Sequence, residues 1–438
     1  MTGRVLHTSD WHLGRQIGRR YRRDAEFDAV LDEIVEIAAD FAPHLIVHSG
    51  DLFDGRPGLD DVYRAAQALR RLGDIAPVVV VAGNHDTSNV LRFLDYVLTD
   101  MGNRVGNQVR VRFATDARPG GLLIAEYPAG DLTLRIGALP YLHPNRFAYD
   151  LADPAAATAT YAERIRAVQA DVYRRLAADR GPDDLLVFAA HLFVEGATPS
   201  HSERPVSIAA DYAVAADALP GVDYGALGHI HKPQRVDRAG FPARYAGSPL
   251  QLDFGETRDT KSVVLAQIAP GKAPQIELVA LKSGRPLVHL TGTLDEIAQR
   301  AERVGDAWVK AVVDVDAPTV FLAEALAKLL PQATIVDIEE RFPGAAGQVL
   351  DRTAITAELP GIDDLLREYL PGRGTSGRAL DHVMATFLDL QAEPDPAEPA
   401  ACCEETLLTA VIAGESVDGV DRTGLLIGAE ATGTEERR

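Results

Sequence analysis

Five short apolar segments of this chain each run directly into side chains of the kind that bind metal ions. In chain order, the polar residues that follow these segments are Asp10 with His12, then Asp51, Asn84, His191, and His229 with His231. Residues two apart in extended chain point the same way, so Asp10 and His12 can bind one object. In α/β sheets, ligands bind beyond the carboxyl ends of the strands. We therefore expect an α/β fold in which all five clusters meet at one end of the sheets.

The spacing of apolar residues between these segments supports that fold class. "RVLHTS", "HLIVHSG" and "PVVVVAG" are typical of buried strands, as are residues 185–190 and 224–228. The pattern over 24–40 predicts an amphipathic helix, and a second helix is expected over 62–72. The apolar face of the first helix is formed by Phe27, Val30, Leu31, Ile34 and Ala38. Strands that alternate with helices indicate buried sheets covered by helices.

Four regions are expected along the chain. Residues 1–281 form the α/β domain. In residues 282–360, a strand at 307–315, a helix at 318–330 and a strand at 333–339 indicate a small separate module. Residues 361–391 are predicted to be helical, and the Pro- and Glu-rich residues 392–438 to be a linker or disordered tail.

Composition narrows the class of protein. The 438 residues carry 44 basic and 64 acidic side chains, and this net charge of −20 argues against a surface that coats nucleic acid. It leaves a nuclease possible, because metal ions or a partner protein can supply positive charge locally. The chain has no apolar run long enough to span a membrane and no signal-peptide pattern, and its only cysteines are Cys402 and Cys403. A cytoplasmic, nucleoid-associated protein without a membrane partner is expected.

The seven candidate ligands offer two carboxylates, one amide oxygen and four imidazoles. Seven ligands are too many for one tetrahedral site, and they suit two divalent ions that share a carboxylate. Such a centre lowers the pKa of bound water and stabilises both oxygens of a displacement at phosphorus. The residues therefore predict hydrolysis of a phosphate ester, with a phosphodiester as a suitable substrate.

Other polar residues near the ligands are assigned different roles. His85 follows Asn84 directly, so we expect it to reach the substrate as a general acid or as a stabiliser of the transition-state phosphate. Asp54 is either a turn residue or a partner of a ligand. His44, His48 and His143 are expected to be core or surface residues.

The segments "DWHLG", "GDLFD", "GNHD", "GHIHKPQ" and "YAGSPLQLDFGE" resemble the calcineurin-like metallophosphoesterase family, in the expected order over residues 1 to about 370. More narrowly, "GSPLQLDFGE" (247–256) and the module after it resemble its branch of bacterial DNA-repair nuclease subunits. The resemblance implies a β-sandwich flanked by helices, with a small α+β capping domain and C-terminal helices. It also implies two divalent ions, usually Mn²⁺, although the ligand types alone would also admit Mg²⁺, Fe²⁺ or Zn²⁺.

The same resemblance assigns the ligands. It implies one metal held by Asp10, His12, Asp51 and His231, and another held by Asp51, Asn84, His191 and His229, with Asp51 bridging. His85 has the catalytic role. Archaeal and eukaryotic relatives carry a histidine at the position of Asp54, so no catalytic histidine is transferred there.

The implied activity is an ATP-stimulated 3′–5′ exonuclease on double-stranded DNA with endonuclease action on single strands and hairpins. The implied partners are DNA and a coiled-coil ATPase, with a homodimer inside a heterotetramer. Residues 282–360 would cap the site and help to select the DNA end. An amphipathic helix is predicted around Leu380, Val383, Met384, Phe387 and Leu388. This helix either docks on the partner's coiled coil or packs on its own domain.

A cluster of arginines follows the first ligand pair. Arg15, Arg19 and Arg20 are candidate DNA-binding residues, and Arg22 and Arg23 lie beside them. The alternative is a solvated loop whose arginines pair with nearby acidic residues.

Two other functions compete with the nuclease. One is a metallophosphoesterase for a cyclic nucleotide or a phosphoprotein. The protein phosphatases of the family carry "GDYVDRG" and "GNHE", whereas this chain has "GDLFDG" and "GNHD". The other is a scaffold without activity, which should have lost ligands, and all seven are present here.

Overall fold

A computed structural model describes residues 2–18, 20–100, 110–117, 122–143, 161–200, 202–203, 213–316 and 321–342, with isolated positions between 366 and 387. Residues 1–344 form one compact unit and residues 345–438 form another. Strands and helices are numbered below in chain order.

Two six-stranded mixed sheets form the larger part of the first unit. The first sheet has the order β14-β13-β1-β4-β5-β6, with β1 Gly3–Thr8, β4 Leu45–His48, β5 Val78–Val81, β6 Val111–Ala114, β13 Ser262–Ile268 and β14 Gln275–Ala280. The second has the order β11-β12-β10-β9-β8-β7, with β7 Leu123–Ala129, β8 Leu132–Leu139, β9 Asp184–His191, β10 Tyr224–Gly228, β11 Gln234–Arg235 and β12 Ala243–Tyr245. Strands β1, β4, β5 and β6 are parallel, as are β8, β9, β10 and β12.

The five strands predicted before the polar clusters are all present. β5 illustrates why the prediction works, because Val78 to Val81 are completely buried. A central parallel strand is covered on both faces, so it favours an unbroken run of β-branched residues over an alternating pattern.

Helices cover the outer faces of the two sheets. They are α1 Asp24–Phe41, α2 Leu59–Ile75, α3 Ser88–Asp95 and α4 Tyr161–Leu176, and a π-helical turn Tyr96–Asp100 continues α3. α1 matches its predicted range closely, and every residue of its predicted apolar face is buried. α2 is longer than the predicted 62–72, because Asp61 accepts the backbone N–H of Gly58 at 3.1 Å and caps an earlier first turn.

Apolar side chains between the sheets form the central core of a β-sandwich. Val5, Val47 and Val79 from the first sheet pack there with Ile136 and Val187 from the second. Separate apolar clusters lie between each sheet and its outer helices. The predicted fold class, a helix-flanked sandwich of the metallophosphoesterase type, is confirmed.

The small module that follows consists of three parallel strands joined by helices. Its elements are β15 Leu287–Gly292, α5 Leu294–Ala298, β16 Trp308–Asp314, α6 Leu322–Leu329 and β17 Thr334–Arg341. The sequence pattern predicted the last two strands and the helix between them, and it missed β15 and α5. Of the predicted helix 318–330, residues 318–320 lie outside the described residues.

One face of this module packs on a hairpin that directly follows the first ligand pair. The hairpin consists of β2 Gln16–Ile17 and β3 Tyr21–Arg22. Ile17 shares a buried cluster with Leu287 and Trp308, and the rings of Tyr21 and Trp308 lie 5.5 Å apart. The module is therefore packed against the segment that leads into the predicted site.

Two glutamates of α1 connect the module to the sandwich. Glu26 accepts hydrogen bonds from Trp308 Nε1 at 2.8 Å and from the Arg285 backbone N–H at 2.8 Å. It also forms an ion pair of 2.6 Å with the buried Arg23. Further along the helix, Glu33 accepts the Ser283 hydroxyl at 2.6 Å.

We expect Glu26→Ala to lower the free energy of unfolding by about 3 kcal/mol, because it leaves the buried Arg23 charge without its carboxylate partner. Chemical denaturation measures this change. Burial alone would raise the pKa of Glu26, but Arg23 outweighs it and lowers that pKa. The contribution should therefore persist above the usual glutamate pKa of 4.5 and disappear as the pH falls through the lowered value.

Glu36→Ala is the matched control, since Glu36 is exposed on the same helix. Its effect should stay within about 0.5 kcal/mol. Equal effects of the two substitutions would show that the junction contributes nothing specific.

The described residues near the C-terminus are consistent with the predicted amphipathic helix. Residues 380–381, 383–385 and 387 are helical, with Met384 buried and Val383 38% exposed. Leu388 and the predicted tail 392–438 lie outside the described residues. Within the part of the chain that the structure describes, none of the helices combines the length and the apolar character that crossing a membrane requires.

Candidate metal centre

The five polar clusters meet at one end of the sandwich. Strands β1, β4 and β5 of the first sheet and β9 and β10 of the second lead into them. The six predicted carboxylate and imidazole ligands are at most 3% exposed, and they are Asp10, His12, Asp51, His191, His229 and His231. The structure therefore brings together side chains that lie up to 221 positions apart, from Asp10 to His231.

The backbone at several predicted ligands is held in a rare conformation. Asp10, His12, Asp51 and His229 have φ values of 51°, 47°, 53° and 105°. Positive φ is uncommon outside glycine and costs free energy, and it persists where the surroundings fix it. Its concentration at the strand ends indicates that the chain is held here to aim these side chains.

Glycines let the chain segments that follow the strands approach one another closely at this end. Gly50 has a φ of 114°, a conformation that residues with a Cβ rarely adopt. At Gly83 and Gly228 the close approach itself excludes a side chain: a Cβ would lie 2.1 Å from Asp51 Oδ1 at Gly83 and 2.1 Å from the Ser49 carbonyl at Gly228. Glycine is needed at these two positions for space.

A first group of ligand atoms comes from Asp10, His12, Asp51 and His231, and all of these atoms lie within 4.8 Å of one another. The Nε2 atoms of His12 and His231 are 3.0 Å apart. Asp10 is oriented by the backbone N–H of His229, which donates to its carboxylate at 3.1 Å.

A second group contains Asp51, His191 and His229, again within 4.8 Å of one another. The side-chain oxygen of Asn84 lies 2.9 Å from His191 Nε2 and 2.8 Å from His229 Nδ1. Asp51 is common to both groups, and the backbone N–H of His85 donates to its Oδ1 at 2.7 Å.

The charges in this centre fit a divalent cation. Burial raises the pKa of Asp10. Burial would also raise the pKa of Asp51, but His191, His85 and His12 together outweigh it and hold that pKa well below its usual range. Burial would lower the pKa of His191, but Asp51 outweighs it and raises that pKa to about 9. Without a cation, the carboxylates therefore favour the charged form of this histidine. A cation would balance them instead and leave the imidazoles neutral, as ligands must be.

The imidazole orientations also fit metal binding. Ring nitrogens Nδ1 of His12, His191 and His231 lie at hydrogen-bond distance from Asp54 Oδ1, the Ser49 carbonyl and Ser202 Oγ, respectively. Each of these contacts leaves Nε2 directed into the ligand groups. Metal-binding histidines commonly donate their other ring N–H to an oxygen in this way, which fixes the tautomer and the ring orientation.

Asp54 connects the first group to His85. Its Oδ1 atom lies 3.1 Å from His12 Nδ1, 3.2 Å from Arg15 Nη1 and 3.6 Å from His85 Nδ1. The two interpretations left open for this residue are resolved by these contacts, because Asp54 is a partner of a predicted ligand. His12, Asp54 and His85 also form a third group of possible ligands within 4.8 Å.

Several residues near the centre were missed by sequence reasoning. Tyr141 follows the carboxyl end of β8, and its ring centroid lies 6.0 Å from those of His191 and His229. Its position just after an apolar segment is the same signal that identified the ligands. On the other side, Glu256 and Lys261 form a buried ion pair of 2.7 Å behind His231. Burial would raise the pKa of Glu256, but Lys261 and His231 together outweigh it and lower that pKa to about 2.

The histidines assigned to the core or surface lie apart from these groups. His44 Nδ1 accepts the Arg4 backbone N–H at 3.0 Å, and His48 is buried with its ring edge-to-face against Trp11. His143 is exposed, with its ring 6.5 Å from that of Tyr141.

The arginines near the first ligand pair have different surroundings. Arg22 pairs with Asp24 and Asp61, and Arg23 with Glu26, as the alternative of acid-paired arginines predicts. Arg15 pairs with Asp54 while 27% of its side chain stays exposed, and Arg20 lies 5.4 Å from the centre of the Tyr21 ring. Arg19 lies outside the described residues.

Comparison with known proteins agrees with this geometry. The sequence profile of the calcineurin-like phosphoesterase family matches residues 3–233, which include every predicted ligand. The chain is 35% identical over 402 residues to the SbcD subunit of the nuclease SbcCD from Bacillus subtilis strain 168, covering 88% of this chain and 97% of that protein.

Two further relatives have the same name. The protein from Rhodobacter capsulatus is 29% identical over 384 residues, covering 80% of this chain and 92% of the relative. The protein from Escherichia coli K12 is 30% identical over 326 residues, covering 72% and 77%. The resemblance inferred from the motifs is confirmed: the chain belongs to the calcineurin-like phosphoesterase family and, within it, to the SbcD group of nuclease subunits.

Proposed function

We propose that this chain is a metal-dependent DNA nuclease subunit that acts with an SbcC-like coiled-coil ATPase in DNA repair and recombination. The observation that carries the proposal is the buried Asp51 carboxylate, which belongs to two adjacent groups of ligand atoms. A shared carboxylate can bridge two divalent ions, and phosphodiester hydrolysis is chemistry that such centres support.

The residues divide into two sets of ligands. Asp10, His12, Asp51 and His231 would hold one ion, and Asp51, Asn84, His191 and His229 would hold the other. When bound, two divalent ions would supply an activated water and stabilise the charge that develops on the phosphate. The mixture of carboxylate, amide and imidazole ligands is suitable for Mn²⁺, and it also admits Mg²⁺, Fe²⁺ or Zn²⁺.

His85 is the proposed catalytic residue. Asp54 Oδ1 lies 3.6 Å from its Nδ1, so the carboxylate limits the orientation of the ring. The protonated ring would donate its proton to the leaving oxygen of the phosphodiester, or stabilise the phosphate charge by a hydrogen bond.

Space for a polymeric substrate exists beside the centre. A cavity of about 570 Å³ lies between the segment that contains Arg15 and the segment 252–254, and Asp54 lines it as well. The three-stranded module packs on the hairpin that borders this cavity. We assign residues 1–281 to the nuclease domain and residues 282–360 to a cap that helps to select DNA ends.

The arginines that follow the first ligand pair in the sequence give a test of DNA binding. Arg20→Ala, alone or with Arg19→Ala, should weaken binding of single-stranded DNA. The slope of log binding constant against log salt concentration should become shallower by about one for each phosphate that is no longer neutralised. Arg174→Ala is the control, because Arg174 is an exposed arginine on α4 that pairs with Asp171. Binding that is unchanged across salt concentrations would remove Arg19 and Arg20 from the proposed DNA surface.

The partner assignment depends on the relatives' name, which describes one component of a two-protein nuclease. We propose that residues 361–391 dock on the partner's coiled coil and that the assembly is a heterotetramer built on a homodimer. We also propose a cytoplasmic, nucleoid-associated location for the complex, which follows from a DNA substrate.

Exposed apolar side chains on two neighbouring helices support the homodimer. Leu59 and Tyr63 on α2 are 88% and 66% exposed, and Phe93 on α3 and Tyr96 just after it are 56% and 48% exposed. Exposed apolar side chains that form one patch usually mark an interaction site, and we propose that these four belong to the homodimer contact. Sedimentation equilibrium should therefore give twice the monomer mass of 47.1 kDa. A monomer for the wild type at micromolar concentration would contradict this.

The competing function, hydrolysis of a cyclic nucleotide, is tested by comparing substrates. With Mn²⁺ and the ATPase partner present, kcat/KM for a DNA hairpin should exceed that for 2′,3′-cyclic AMP by orders of magnitude. The reverse preference would favour the small-molecule phosphodiesterase.

A further inference from the structure

A buried ion pair lies behind the predicted ligand His231, within and just after the segment 247–256. Glu256 and Lys261 are 0% and 5% exposed, and Glu256 Oε2 lies 2.7 Å from Lys261 Nζ. Removing two charges from water is costly, so a buried pair of this kind is weak support for a purely stabilising role. Its neighbours suggest another purpose.

A serine connects Glu256 to the His231 ring. The Ser202 hydroxyl donates a hydrogen bond to Glu256 Oε1, and Ser202 Oγ lies 2.5 Å from His231 Nδ1. An ionised carboxylate only accepts hydrogen bonds, so the single hydroxyl proton must point to Glu256. Ser202 Oγ then has only lone pairs to offer His231. The His231 Nδ1 atom therefore carries a proton and donates it, and Nε2 carries the lone pair.

The backbone of His231 is fixed by the same surroundings. Lys261 Nζ donates to the His231 carbonyl at 2.9 Å, and the Ser248 backbone N–H donates to it at 3.1 Å. On the other side, Glu203 Oε1 accepts the His231 backbone N–H at 3.0 Å. The backbone N–H and the backbone carbonyl of His231 are therefore each hydrogen-bonded to a buried charged side chain.

We propose that Glu256, acting through Ser202, is a positioning residue that fixes the tautomer and ring orientation of His231 so that Nε2 faces the first ligand group. The inference rests on the proposed two-ion centre, to which it adds a residue outside the ligand set. It also gives a physical reason for the glutamate that ends "GSPLQLDFGE", since this residue reaches a ligand that lies 25 positions earlier in the chain.

His12 and His191 show how His231 differs. Asp54 contacts His12 directly, and a backbone carbonyl contacts His191. Only for His231, among these three rings, does a side-chain hydroxyl lie between the ring and the carboxylate. Glu256 Oε1 also lies 3.5 Å from His231 Nδ1, beyond a good hydrogen bond. Removing the hydroxyl should therefore break the hydrogen-bonded connection while leaving this longer contact and the Glu256–Lys261 pair in place.

The test measures Mn²⁺ binding to the full chain by isothermal titration calorimetry, without DNA. Ser202→Ala should lower the affinity for one of the two ions by about tenfold to a hundredfold and leave the affinity for the other unchanged. Ser202→Thr retains the hydroxyl and should restore binding. Thr198→Ala, at an exposed position of the same loop, is the matched control and should bind both ions as the wild type does. Glu256→Gln should weaken the same ion, provided that circular dichroism shows a folded chain.

A double-mutant cycle separates positioning from a general structural effect. In a His231→Ala background, Ser202→Ala should cause no further loss of affinity, because the ring it orients is gone. Equal losses in both backgrounds, or unchanged affinity in Ser202→Ala, would overturn the inference while leaving the two-ion centre intact. A wild type that binds fewer than two Mn²⁺ ions would overturn the proposed function, and the positioning role with it.

Discussion

Asp51→Asn is expected to abolish high-affinity binding of both divalent ions and, with it, phosphodiester cleavage. Asp51 is the carboxylate common to the two ligand groups, and it is 1% exposed. Losing a partner that merely orients a ligand costs about tenfold to a hundredfold in metal affinity, so losing the shared ligand should cost more than a hundredfold at each ion. Calorimetric titration with Mn²⁺ measures the binding of both ions in one experiment.

Asp60→Asn is the matched control for this substitution. It makes the same chemical change at an exposed position of α2, outside the centre. It should bind two ions and cleave substrate at the wild-type rate. If Asp51→Asn lost only one ion and kept the other at full affinity, the assignment of Asp51 as a ligand of both ions would be wrong. The two groups would then be independent sites.

His85→Ala is expected to reduce kcat by about a hundredfold to ten-thousandfold while leaving Mn²⁺ stoichiometry at two. The reason is that His85 lies beside the centre, with its ring 4.7 Å from that of His12, but outside both proposed ligand sets. Steady-state hydrolysis of bis(p-nitrophenyl) phosphate gives kcat, and calorimetry of the same preparation gives the metal content.

The third ligand group makes this prediction informative. Because His12, Asp54 and His85 also lie close enough to hold a cation, His85 could in principle be a ligand. Loss of one Mn²⁺ equivalent in His85→Ala would establish that role and contradict the catalytic assignment. His143→Ala, which alters an exposed histidine near Tyr141, serves as the control for kcat.

The five strands that lead into the centre, and the position of the centre at their ends, were predictable because their signals are local, whereas the sandwich was implied by the family resemblance. A run such as "VVVV" identifies a buried parallel strand, and the residue that follows it identifies the sheet end. The apolar face of α1 was predictable from its helical period for the same reason. β15 was missed because "LVHLTG" is short and contains polar residues, and its burial depends on pairing with β16.

Interactions between distant residues could not be predicted in this way. Ser202 and Glu256 are 54 positions apart, and only the fold brings them to His231. Asp54 could be a turn residue or a ligand partner from its sequence context, and its contact with His12 became visible only in three dimensions. The arginines were equally ambiguous, because the pairing of Arg22 with Asp61 crosses from the hairpin to α2.

The central claim is that this polypeptide contains a two-ion DNA nuclease centre. Cleavage of covalently closed circular single-stranded DNA tests it most directly, with purified chain, Mn²⁺ and the ATPase partner with ATP, beside an Asp51→Asn preparation. We predict that the wild type converts the circles to linear fragments and that Asp51→Asn does not. Intact circles with the wild type, in a preparation that still hydrolyses bis(p-nitrophenyl) phosphate, would contradict the nuclease assignment.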